Sequence, residues 1–159
     1  MSKNKSKSNN NSGSGSGSST GSTVTGNGTK RLTLEQSRAK DAWEVCKGYN
    51  KDHVNFAKGL PALIMNSGLM QVMAFCNEKG AKEKTKHAGE VAQHLRVWLQ
   101  QRFPEKLKGA DFLPFMESFL QEGFSSADYQ AINAEAFAWL KWLRQLAAAR
   151  NAGKEAQEV

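Results

Sequence analysis

Residues 60–80 read LPALIMNSGLMQVMAFCNEKG. Pro61 stands where a helix can begin, at a position whose missing N–H leaves no hydrogen bond unmade. Leu60, Leu63, Ile64, Met65, Leu69, Met70, Val72, Met73, Phe75 and Cys76 follow, interrupted by Asn66, Ser67 and Gln71, and Gly80 supplies a C-cap. Apolar residues on nearly every side predict a central helix enclosed by others. The run is too short and too interrupted for a membrane span. Gly68 inside a helix costs roughly 1 kcal/mol against Ala. A close helix crossing at that point would offset the cost. Core packing is the simplest account of the segment, ahead of any ligand role for Asn66, Ser67 and Gln71.

The chain has 159 residues, but the first 30 contain no aromatic and almost no apolar side chain. Residues 1–31 are expected to be a disordered Gly/Ser- and Lys-containing tail, 32–150 a helical bundle, and 151–159 a frayed end. The net charge of +7 is unevenly placed. Lys3, Lys5, Lys7, Lys30 and Arg31 carry five positive charges with no acid among them, which leaves 17 basic against 15 acidic residues from Leu32 onward, or +2. An RNA-binding surface on the body must therefore come from local patches. Cys46 and Cys76 are the only cysteines, and their spacing suits no metal site. Free buried thiols in a reducing compartment are expected, with a disulfide as the alternative. No apolar run follows the basic start, which predicts a cytoplasmic chain without a secretory signal.

Around the central segment the signals are helical throughout. Thr33 and Gln36 form a capping box for a first helix reaching Asn55 or Lys58. Its buried side includes Ala39, Ala42, Trp43, Cys46, Tyr49, Val54 and Phe56, and His53 falls on the polar side. A tight turn at Lys58-Gly59-Leu60 would then make the first two helices antiparallel neighbours. After a basic connector, residues 81–87, a third helix runs from Lys86 to Arg102, with Ala88, Val91, Ala92, Leu95, Trp98 and Leu99 at the amphipathic period. Asp111 caps a short fourth helix to Gln121 or Glu122. Ser125 and Asp128 open a last one, from about Ser126 to Arg150, with Tyr129, Ile132, Ala136, Trp139, Leu140, Leu143 and Ala147 inward. No segment alternates with a period of two. The expected fold is all-α, a single-domain antiparallel bundle of about five helices.

Sites for chemistry are sparse. There is no GxxxxGK[ST] loop, and His53, His87 and His94 are the only histidines. His87 and His94 lie two turns apart without a completing metal-ligand cluster. His94 reads as a surface or cap-bonding residue. Asp41 and Glu44 read as surface partners for Arg38, Lys40 or Lys47. No catalytic residue, cofactor, metal or small-molecule substrate is expected. Trp43, Trp98, Trp139 and Trp142 could stack on bases. The first three fall on inward stripes and read as packing. Trp142 lies outside its stripe, beside Lys141, as an exposed protein contact or a cover for the fourth helix.

The segment containing Leu60-Pro61, Asn66, Gly68, Leu69, Gln71, Ala74 and Phe75 resembles the hallmark of the small subunit of type III-B CRISPR effectors, the Cmr complex. The resemblance extends from Thr33–Ala39 to the alanine- and tryptophan-containing end, Tyr129–Leu143, and so covers about Thr33 to Ala147. The Gly/Ser tail, Met70 and Met73 depart from the family pattern. The resemblance implies a non-catalytic component of antiviral defence. Such proteins stack in several copies beside the guide-binding filament and help hold the guide and target RNA, while cleavage and nucleotide signalling belong to other subunits. Charge and expected exposure, not the family pattern, nominate Lys40, Lys47, Lys51, Lys82, Lys84, Lys86, Arg96, Arg102, Lys141 and Arg144 for RNA-backbone contact. The near-neutral body leaves a second reading open: a stand-alone helical protein–protein scaffold that binds no RNA.

Overall fold

Thr33 accepts from the Gln36 amide (3.2 Å) while the Gln36 side chain accepts from the Thr33 amide (2.8 Å). This reciprocal cap satisfies two orphan donors and starts α1, Leu34–Val45. A 3₁₀ turn, Cys46–Gly48, follows. The computed structural model describes residues 30–159. The expectation for residues 1–29 lies outside the described residues. The remaining elements are α2, Lys51–Ser67; α3, Leu69–Gly80; a 3₁₀ turn, Glu83–Thr85; α4, Lys86–Arg102; α5, Phe112–Phe119; and α6, Ser126–Gln157. No strand occurs among the described residues, and Leu32–Val159 form one compact all-α unit.

The largest difference from expectation is where the chain breaks. No turn occurs at Lys58-Gly59-Leu60. Asn50 caps α2 instead, its Oδ1 accepting from the amides of Asp52 (3.0 Å) and His53 (3.2 Å). The helix then runs through Gly59 and Pro61. Pro61 cannot donate to the Ala57 carbonyl and would ordinarily weaken the helix there. The buried stripe His53, Val54, Ala57, Leu60 and Ile64 stays in phase across that point, so packing holds the helix together.

The break is at Gly68. Its φ of 81° and ψ of 155° belong to a region that an L side chain rarely adopts. The Gly68 amide closes α2 on the Ile64 carbonyl (2.8 Å), and its own carbonyl accepts from Val72 in α3 (3.2 Å). A Cβ there would meet only the Tyr129 hydroxyl, at an ordinary 3.6 Å. Backbone conformation, not a close crossing, therefore requires glycine at this position. The bend also overturns the enclosed central helix. Leu63, Met65 and Phe75 are exposed, Met65 by 75%.

The closest approach lies at the other end of α3. A Cβ on Gly80 would fall 2.5 Å from Gly89 Cα, and one on Gly89 would fall 2.7 Å from Gly80 Cα. Two backbones touch here, and α3 and α4 form a tight antiparallel hairpin. The core between the helices contains Leu60, Ile64, Leu69, Leu95, Leu99, Phe115, Ile132, Trp139, Leu140 and Leu143. α6 packs on α1, α2 and α4 and acts as the spine. It continues past Arg150 to Gln157, and Lys154 donates to the Lys47 carbonyl (2.8 Å), tying its end to the turn after α1.

Candidate nucleic-acid interface

The α3–α4 connector brings the densest group of nominated lysines together. Lys82, Lys84 and Lys86 are all exposed. The Thr85 hydroxyl donates to the Lys79 carbonyl (2.7 Å), and the Lys82 amide donates to the same carbonyl (3.1 Å). These bonds make the connector a fixed turn. Lys82 meets Glu78 at 3.4 Å and Lys86 meets Glu90 at 3.8 Å, both at the surface, where such pairs contribute little and exchange readily for phosphate. Lys84 makes no ion pair among the described residues. Lys79, half-buried, lies 5.5 Å above the Phe75 ring.

Other nominated cations fall in separate groups. Lys40 is exposed on α1 and Lys47 in the 3₁₀ turn after it, with Lys47 paired to Glu44 at 2.5 Å. Lys51 opens α2. Lys141 and Arg144 are exposed one turn apart on α6. Arg102 is exposed and sits 3.9 Å from Glu135. Arg96 does not belong with them. It is 8% exposed, and its guanidinium donates to the Ala110 carbonyl (3.1 Å) and to Gln100 (3.0 Å), fastening α4 to the segment before α5. Desolvation is the main influence on Arg96 and lowers its pKa. Of the residues carrying the resemblance, Leu69 is buried, Pro61 is half-buried, and Asn66, Gln71, Ala74 and Phe75 face outward.

Two polar clusters escape sequence reasoning. Glu135, 6% exposed on the inward face of α6, accepts from Arg38 Nε (3.0 Å) and from Arg38 through its second oxygen (2.6 Å). It also accepts from the Trp98 indole (2.9 Å), and so binds α1, α4 and α6 together. Hydrogen bonds from Arg38 to Glu135 raise the guanidinium pKa still further above its ordinary range. A signal is present in the sequence: Glu135 follows Ile132 by three and falls on the buried stripe. The second cluster surrounds Tyr49. Its hydroxyl lies 2.8 Å from His94 Nδ1, and its ring stacks on His53. His53 is buried, contrary to its expected polar-side place, and meets Glu90 at 2.5 Å. His87 approaches the His53 and Phe56 rings edge-on. All three histidines are thus gathered along the α2–α4 contact, whose paired residues show the two helices to be antiparallel. Asp41 is half-buried and accepts from Trp139 (2.8 Å), whereas Trp142 donates to Glu35 (2.8 Å). Both cysteines are free and buried, and burial pushes the Cys76 thiol up to about 12.

Burial, the largest influence on His94, holds its pKa below its ordinary value, near 6.5. In the window between the folded and unfolded pKa values the unfolded chain binds more protons, so stability rises with pH there. Thermal unfolding followed from pH 7.5 down to pH 5.5 is expected to show a falling melting temperature. His94→Gln should flatten that dependence; an unchanged slope in this variant would exclude His94 as its source.

The fold and its surface define a small helical protein whose buried ionisable groups fasten helices together and whose lysines gather at a hairpin turn. The family model described as CRISPR-associated protein (Cas_Cmr5) matches residues 34–150. The chain is also 33% identical over 88 residues to the CRISPR system Cmr subunit Cmr5 of Thermotoga maritima, a match covering 53% of this chain and 67% of that protein. The chain belongs to the Cas_Cmr5 family of Cmr complex subunits. No helix among the described residues is long and apolar enough to cross a membrane.

Proposed function

We propose that the protein is a non-catalytic structural subunit of a type III-B CRISPR ribonucleoprotein effector, cytoplasmic, and that it helps hold guide and target RNA. The observation that supports this most is the lysine-bearing α3–α4 turn within a chain of this family. Lys82, Lys84 and Lys86 have long exposed side chains on a backbone fixed by Thr85, and can reach phosphates without disturbing the core. Such contacts position RNA without reading its sequence. A few contacts per copy give weak binding, and stacked copies would multiply them along one duplex. The best-placed ionisable groups are engaged in packing: Glu135 with Arg38 and Trp98, His53 with Glu90, and Arg96 with Ala110.

Exposed Leu63, Met65 and Phe75 favour a second reading, a scaffold that contacts protein alone. One experiment separates the two. Complex is reconstituted with the parent subunit or with Lys82, Lys84 and Lys86 all changed to alanine, and RNA retention is measured across a salt series. The RNA-holding reading expects weaker retention and a slope reduced by roughly 0.7 to 0.9 for each phosphate that a copy no longer neutralises, with helical content unchanged. If neither this variant nor one in the other exposed body cations alters affinity or slope, the protein-only scaffold is the correct description.

A further inference from the structure

Trp43 is not the core residue its sequence position suggests. It is 41% exposed on the outer face of α1. One side of its indole is covered by the Arg150 guanidinium, whose Cζ lies 3.5 Å from the ring centroid. Lys40 precedes it by one turn on α1 and Lys47 follows four residues on, in the 3₁₀ turn, both exposed. Lys154, one turn beyond Arg150 on α6, reaches the Lys47 carbonyl beside them. One cation thus lies on the face of an exposed aromatic ring, and two exposed lysines flank it about one turn away on either side in sequence. The carboxylate on this face of α1 is Glu44, already paired with Lys47. Glu155, next round α6, accepts from Asn151 (2.9 Å).

We infer that Trp43 is a stacking platform for an unpaired RNA base, with Arg150 behind the ring and Lys40 and Lys47 placed for the flanking phosphates. A guanidinium against an indole is itself a favourable pairing and holds the ring in place. An exposed aromatic among cations is the arrangement that retains single-stranded nucleic acid without reading its sequence, because every base has a face to stack. A duplex hides those faces, so this site distinguishes single strands from duplex, whereas the connector lysines meet only phosphate. The inference rests on the RNA-binding reading above and adds the unpaired strand as the ligand of a second surface.

The test uses the full chain at low salt with two probes, a short fluorescein-labelled oligoadenylate and a blunt GC-rich RNA duplex. Parent protein should bind the oligoadenylate with quenching of tryptophan emission. Trp43→Ala should weaken that binding about tenfold and abolish most of the quenching, and Trp43→Phe should restore much of the affinity. Lys40→Ala should lower the salt slope for the single strand by about 0.7. Duplex binding should be unaffected by Trp43→Ala and weakened by the Lys82, Lys84 and Lys86 substitutions. If those lysine substitutions leave the duplex untouched while Trp43 still governs the single strand, the duplex-holding reading fails and the stacking site stands. Equal single-strand affinity in parent and Trp43→Ala, or no binding of the oligoadenylate by the parent, overturns the inference and leaves the ring as a protein contact. Should Trp43→Ala not fold, unquenched parent emission on oligoadenylate binding, together with an unaltered slope in Lys40→Ala, overturns it equally.

Discussion

Glu135→Ala is expected to destabilise the protein by about 3 kcal/mol, as removal of one partner from a buried ion pair does. The mutation strands two donors at once. Arg38, with a side chain only 13% exposed, loses both of its bonds to Glu135, and the buried Trp98 indole loses its acceptor. Arg38 keeps Glu35, a surface neighbour in α1, which places the cost near the lower end for such losses. Glu135→Gln preserves shape and an acceptor for Trp98 and should cost less than half as much. The double change Arg38→Met with Glu135→Leu should recover much of the loss, because no uncompensated charge is then buried. Urea unfolding of the three variants measures these differences. A loss below 1 kcal/mol in Glu135→Ala would show that water replaces the carboxylate and that the cluster does not fasten α1 to α4 and α6.

The helix starts were legible because they depend on neighbours in sequence. Thr33 with Gln36, Asp111, and Ser125 with Asp128 all cap as expected. The stripes of α4 and α6 were equally plain, since the period of apolar residues states which face is buried. The sequence places a turn at Lys58-Gly59-Leu60 and none after Val45 or at Gly68, because glycine beside proline reads as punctuation. Gly59 and Pro61 are local weaknesses, and an in-phase stripe overrides them. Gly68 is different, since its conformation joins two helix directions, and that direction change is set by what α2 and α3 pack against. The stripe Val54, Ala57, Leu60 and Ile64 already argued for continuity.

The candidate interface was less legible than the fold. Exposure of a charged residue depends on the neighbouring helix. Arg96 sits off the α4 stripe, but the segment around Ala110 folds over it. Trp43 fits an inward pattern at three and four, yet α1 is covered mainly by α6, and the indole lies at the edge of that contact. Arg150 covers one face of it from the last turn of the expected helix, and Lys154 reaches the Lys47 carbonyl because α6 is longer than its alanine-rich run suggested. Lys82, Lys84 and Lys86 were legible as an exposed group because a connector has few neighbours to bury it.

The Gly80–Gly89 contact gives a prediction whose sign opposes helix propensity. Alanine is favoured over glycine inside a helix by roughly 1 kcal/mol. By that measure Gly89→Ala in α4 should stabilise. The added Cβ would lie 2.7 Å from Gly80 Cα, a backbone atom with no rotamer to change, so the hairpin must open. Overpacking of this kind costs about 1–3 kcal/mol, and in the absence of a flexible neighbour the upper part of that range applies. After the propensity gain, a net loss of about 2 kcal/mol is expected for Gly89→Ala. Gly59→Ala is the internal control. It lies in α2, where a Cβ meets nothing within 4 Å, and it should stabilise by up to about 1 kcal/mol. Adding Gly80→Ala to Gly89→Ala should cost less than the sum, because the first methyl has already pushed the two backbones apart. Chemical denaturation of all four variants checks the pattern. Stabilisation by both Gly89→Ala and Gly59→Ala would mean that α3 and α4 do not touch at this point. The connector that presents Lys82, Lys84 and Lys86 would then lack its anchored base, and RNA retention should be indifferent to Gly89→Ala; a closed hairpin instead requires stability and retention to fall together.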